Sequence, residues 1–159
     1  MGWYYTHGAT LADVIRELTR EETRDGFTIR TLAHALRGPV LWTVQESGEP
    51  GNVRRFVGCY LLRRTKHEAG YKPMDESMGP VDVSCPLSFL DMVPDPGGYA
   101  TEWRAKVRAY HARVNRKLRV GDVVKLRSRD VPEVTVTTLR PLRGVFHGVT
   151  YRVPRRLLA

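Results

Sequence analysis

Cysteine, clustered histidine and long apolar runs are all scarce in this sequence, and each shortage removes a class of function. Only two cysteines occur, Cys59 and Cys85, so a disulfide framework is excluded as the basis of the fold. The five histidines (7, 34, 67, 111, 147) are scattered, whereas a four-ligand zinc site needs closely spaced Cys or His pairs. No apolar run approaches the roughly 18 residues that would span a bilayer. The opening Met1-Gly-Trp-Tyr-Tyr-Thr-His lacks the basic start, apolar centre and small-residue cleavage site of a secretory signal. A cytoplasmic protein with no membrane contact and two free thiols is expected. Repeats, a Gly-rich phosphate loop and deaminase, nuclease or kinase motifs are missing too, so no cofactor and no metal are expected.

Lysine is also rare, with 5 Lys against 21 Arg. The planar guanidinium fork suits bidentate recognition of phosphate or carboxylate; a GC-rich genome yields the same bias with no function attached. The position of the charge is more telling. Residues 1–115 hold 15 Lys+Arg against 14 Asp+Glu, whereas residues 116–159 hold 11 against 3, so nearly all of the net +9 sits in the last 44 residues. That concentration attracts polyanions, chiefly nucleic acid, and equally suits an acidic protein partner.

Along the chain, Thr10-Leu-Ala-Asp13 reads as a capping box, and Leu11, Val14, Ile15 and Leu18 recur at i, i+3, i+4 and i+7, which predicts an amphipathic helix from Leu11. The aromatic cluster Trp3, Tyr4 and Tyr5 reads as a first strand packed in the core, or as a base-stacking or ligand platform. Asp25-Gly26 is a turn signal before a strand over Phe27–Leu36, whose second half also suits a helix. Val40–Gln45 and Val53–Leu62, with Ser47-Gly-Glu-Pro-Gly-Asn52 between them, read as an antiparallel hairpin. Both faces of the second of these strands are apolar, which predicts a central strand and a buried Cys59.

Residues 71–92 hold Asp75, Glu76, Ser77, Asp82, Ser84 and Cys85 among three prolines and a glycine, so a structured connection is expected rather than regular structure. Ser84-Cys85-Pro86-Leu87 has the order of an N-cap followed by proline at the first helical position, predicting a short helix over 86–91. A thiol at a helix start has a mechanism for a lowered pKa, which makes Cys85 the candidate nucleophile of an enzyme reading, with Asp75, Glu76 and His7 as its possible partners. The plainer reading is a structural cysteine, with the carboxylates satisfying loop N–H groups. A second helix follows Pro94-Asp-Pro-Gly-Gly98, with Trp103, Val107, Tyr110 and Val114 inward, Thr101 as a cap, and Arg104, Lys106, Arg108 and Arg113 outward.

From Leu118 the pattern turns to short strands, 122–126, 133–138, 144–146 and 149–153, with His147-Gly148 as a tight turn and Leu157 and Leu158 as a lid. Leu118-Arg-Val-Gly-Asp-Val-Val-Lys-Leu126 with the hairpins after it resembles the opening of SH3-like barrels, a class that includes nucleic-acid and protein adaptors. Met1-Gly-Trp3, Thr6-His-Gly8, Leu41-Trp42, Gly58-Cys-Tyr60, Tyr71 to Pro80 and Ser84-Cys-Pro86 together resemble an uncharacterised family of small proteins carried on bacterial plasmids and phages. That resemblance implies an accessory role on a mobile element, such as DNA handling or interference with host defence, and supplies no catalytic residues.

The expected fold class is therefore α+β: an antiparallel sheet flanked by two amphipathic helices over residues 1–115, with a small basic SH3-like barrel module over 116–159 packed on it. The expected function is nucleic-acid binding, non-specific and through phosphates, by Arg127, Arg129, Arg140, Arg143, Arg152, Arg155 and Arg156. The alternatives are an inhibitor that docks on a host defence protein and a small enzyme using Cys85.

Overall fold

The computed structural model describes residues 2–159. Met1, part of the N-terminal run quoted for the plasmid and phage resemblance, lies outside the described residues. The chain divides into two compact units, Met1–Val107 and Arg108–Ala159. The elements in order are β1 (Tyr4–His7), α1 (Leu11–Thr19), β2 (Glu22–Arg24), β3 (Phe27–Arg37), β4 (Val40–Glu49), β5 (Asn52–Arg64), β6 (Glu68–Asp75), α2 (Leu87–Asp91), α3 (Tyr99–Asn115), β7 (Val123–Lys125), β8 (Glu133–Leu139), β9 (Leu142–Phe146) and β10 (Val149–Arg152). Short 3-10 turns at Glu76–Met78 and Arg155–Leu157 complete them.

Strand outweighs helix by 44% to 23%, which overturns the expected α+β class: the chain is mostly β, and the two amphipathic helices and the short helix expected over 86–91 accompany its sheets. The reason lies in segments whose composition hides a strand. β6 runs into the stretch expected to be irregular, and Pro73 sits within it opposite Tyr60 of β5. The neighbour on the other side, β1, pairs only as far as Tyr71, so proline's missing N–H falls where no ladder bond is required.

In the first unit the strand order is β1-β6-β5-β4-β3-β2, all pairs antiparallel, in a curled sheet. β5 lies inside the sheet, and alternation along β4 divides two cores. Val40, Trp42 and Val44 face Cys59, Cys85, Phe89, Leu90, Trp103 and Val107, which come from β5, α2, α3 and the segment before α2. Leu41 faces the other way and packs with Leu62, Ala69 and Val14 of α1. α1 begins where the sequence places it: Thr10 accepts from the Asp13 N–H at 3.2 Å, and the Asp13 carboxylate accepts from the Thr10 N–H at 2.9 Å. Its apolar stripe covers the sheet.

The stretch after β6 seals the opposite core. Trp42 and Trp103 lie 5.5 Å apart; their indole N–H groups donate to the Ser84 hydroxyl at 3.2 Å and the Asp82 carbonyl at 3.0 Å. Arg104, expected on the outward face of α3, is 2% exposed, and its guanidinium meets a Glu76 that is 1% exposed. Helical periodicity places charge outward by default, but a buried carboxylate from a distant segment supplies the compensation that burial of an arginine requires.

In the second unit the strand order is β10-β9-β8-β7, again antiparallel. Val124, Val134, Val136, Leu142, Val153 and Leu158 form its core with Leu118. Leu158 returns to bridge Leu126, with backbone bonds from Arg127 to Leu157 and from Ala159 to Lys125. No helix of the described residues is long and apolar enough to cross a membrane.

Candidate functional site: a basic sheet face

The second unit owes its surface to an imbalance of charge. Arg108–Ala159 carries 13 Lys+Arg against 3 Asp+Glu, net +10, while Met1–Val107 carries 13 against 14, net −1. The ion pairs Arg16–Asp13, Arg24–Asp25, Arg30–Glu46, Arg55–Glu46 and Arg104–Glu76 all lie in the first unit. Among the described residues no arginine or lysine of the second unit has a carboxylate within salt-bridge distance.

Alternation along the strands sorts the side chains. Val134 and Val136 of β8 and Leu142 of β9 turn to the core, so Thr135, Arg143 and Val145 turn outward. Register then aligns Thr138 of β8, Arg143 of β9 and Arg152 of β10 in one row, and Val123, Thr135, Val145 and Thr150 in the next. All are exposed except Val145, which is half-buried. Arg140 sits at the β8–β9 turn beside this row. Arg143 and Arg152 are direct cross-strand partners, a like-charge placement that costs stability within the sheet. Arginine forks flanked by threonine hydroxyls are donors for phosphate oxygens.

The other sequence candidates lie elsewhere. Arg127 and Arg129 are exposed on the β7–β8 loop, at the far end of β8 and about 20 Å from Arg140 at ~3.3 Å per residue. Arg156 is exposed on the last 3-10 turn. Arg155 is half-buried and its Nη1 donates to the Val114 and Arg116 carbonyls at 3.1 and 3.0 Å, so it caps the end of α3. Register thus sets Arg143 beside Arg152 with Arg140 in the adjoining turn, while Arg127 and Arg129 lie at the other end of β8. Arg113, expected on the outward face of α3, and Arg116, which sequence reading did not single out and which follows α3, each hold a buried Nε with no acceptor.

The enzyme candidates fall in the first unit. Cys85 is fully buried, and Pro86, not Ser84 or Cys85, is the N-cap of the five-residue α2. Burial pushes its thiol well above the ordinary range, and neighbouring Cys59 adds to the shift, the opposite of the lowering that a nucleophile needs. Neither cysteine is in a disulfide. Asp75 accepts the N–H of Ser77 at 2.8 Å together with its hydroxyl. Glu76 is committed to Arg104 and to the Val57 N–H at 3.2 Å. His7 is exposed on β1, opposite Glu68. The four do not form a catalytic constellation, and no cluster of three or more metal-ligating side chains occurs among the described residues.

Residues 94–129, from the loop before α3 through β7, match a family model described as a domain of unknown function (DUF6927). No curated protein and no solved structure matches the chain.

Proposed function

We propose that the second unit binds nucleic acid through its phosphates, with Arg140, Arg143 and Arg152 as the principal contacts and Thr138 and Thr150 beside them. The observation that carries this reading is the cross-strand pair Arg143–Arg152, exposed and without a carboxylate, in a unit of net +10. A bound phosphate turns that repulsion into two charge-assisted contacts. Such contacts position a duplex or a single strand without reading its bases, so the binding is non-specific. Resemblance to small plasmid and phage proteins supports an accessory role on a mobile element. Titrating labelled duplexes of unrelated sequence with the protein and with R140A/R143A/R152A tests the reading: all duplexes bind alike and the variant weakens them together. Binding that the triple substitution leaves untouched would contradict it.

A further inference from the structure

The first unit holds a feature of the opposite electrostatic character. At the C-terminal end of α1, the sheet face that the helix covers opens into a trough of two adjoining hollows of about 360 and 340 Å³, which share Ile29, Gln45, Tyr60 and Pro73.

The rings that line it are held in place by hydrogen bonds and by register. The Tyr60 ring lies beside Gly58, where a side chain would meet both that ring and the Thr43 hydroxyl. Its own hydroxyl donates to Gln45 Oε1 at 2.9 Å, and Gln45 Nε2 donates to Thr31 Oγ1 at 3.3 Å and the Leu18 carbonyl at 3.5 Å. Tyr71 meets Tyr60 edge-on at 5.9 Å, and Tyr4 stacks on Tyr71 at 5.5 Å as its direct cross-strand partner.

The charged lining consists of Glu17, Glu22, Asp75 and Arg20, three carboxylates against one guanidinium in a chain of net +9. Among the described residues neither Glu17 nor Glu22 is ion-paired. Glu17 lies close enough to Tyr71 that its charge adds to the upward shift which burial imposes on the phenol. Aromatic faces present negative charge, and carboxylates at the rim repel anions, so the occupant that fits carries a positive charge on an apolar body.

We propose that this trough binds a small organic cation of the alkylated ammonium class, its charge against Tyr4, Tyr60 and Tyr71 and balanced by Glu17 and Glu22. The second hollow, with Phe27, Phe56 and Met78, takes the apolar remainder of the ligand. This site is separate from the phosphate-binding face and stands without it. The test titrates the full chain with choline and with 3,3-dimethyl-1-butanol, its uncharged carbon isostere, followed by the NMR signals of the three tyrosine rings. Choline binds at least about tenfold more tightly than the alcohol, as aromatic and carboxylate contacts to a cation require. Glu17→Gln, a change on an exposed side chain, weakens choline severalfold and leaves the alcohol and the thermal midpoint unchanged; Tyr4→Leu weakens choline likewise. Equal binding of the two probes, or no binding of choline, overturns the proposal.

Discussion

Arg104 and Glu76, 28 residues apart in sequence, meet in a two-pronged ion pair, Nε to Oε2 at 2.6 Å and Nη2 to Oε1 at 3.0 Å. The remaining guanidinium donors reach the Leu90, Val93 and Pro94 carbonyls at 3.4, 2.9 and 3.2 Å. One side chain of α3 therefore ties down the end of α2, the segment after it and the turn that follows β6, while Glu76 also accepts the Val57 N–H of β5.

Removing one member of that pair strands the other charge in the core. Arg104→Met should cost about 3–5 kcal/mol of stability, read from urea unfolding. The double change Arg104→Met/Glu76→Leu should recover a large part of the loss, because it leaves no unpaired charge behind. A single-variant cost below about 1 kcal/mol would mean that the pair is solvated in solution.

Cys59 and Cys85 should resist alkylation in the native protein and react once it is unfolded. Burial raises the Cys59 thiol from 9.0 to about 12, and Cys85 shifts in the same direction. A folded pKa above the unfolded one means that the unfolded chain loses its proton first as pH rises. The Cys59 contribution to stability is therefore complete below pH 9 and is lost between about 9 and 12. Unfolding midpoints measured across that range check the sign; a flat profile would show that both thiols reach solvent.

Thr43 is fully buried and its hydroxyl has no hydrogen-bond partner. Thr43→Val keeps the shape and removes the desolvated hydroxyl, so it should raise stability by about 1 kcal/mol. Gly58→Ala should lower stability, since its methyl collides with that same hydroxyl and presses on Gln45 Oε1. Thermal unfolding of the two variants gives shifts of opposite sign; a loss in Thr43→Val would reveal a partner for the hydroxyl in solution.

How much of this was legible in the sequence depended on whether the signal was local. Thr10 and Asp13 lie three residues apart and announce α1, and the loop chemistry of Ser47 to Asn52 announces the β4–β5 hairpin, although pairing carries the strands to Glu49 and Asn52 and leaves only Pro50-Gly51 as the turn. The long alternating run of β3 holds as strand to Arg37, tertiary pairing with β4 deciding its second half. β2 is three charged and polar residues with no apolar alternation, and β6 hides behind a proline, so neither showed. Trp3, Tyr4 and Tyr5, read as core or platform, lie on or beside an exposed edge strand. At the candidate site the excess of arginine was visible at once. Which arginines share a face was not, because the pairing of Arg143 with Arg152 depends on register and Arg155 is diverted by the end of α3.

The salt dependence of binding decides whether phosphates are what the second unit contacts. For duplex DNA the logarithm of the binding constant falls against the logarithm of salt concentration with a slope of about −0.9 per phosphate contacted. The protein should bind measurably at about 50 mM salt, where phosphate contacts are strong, and R140A/R143A/R152A should make the slope shallower by about 2.7, three contacts' worth. Equal slopes for the two proteins, or no binding at that salt, would contradict it.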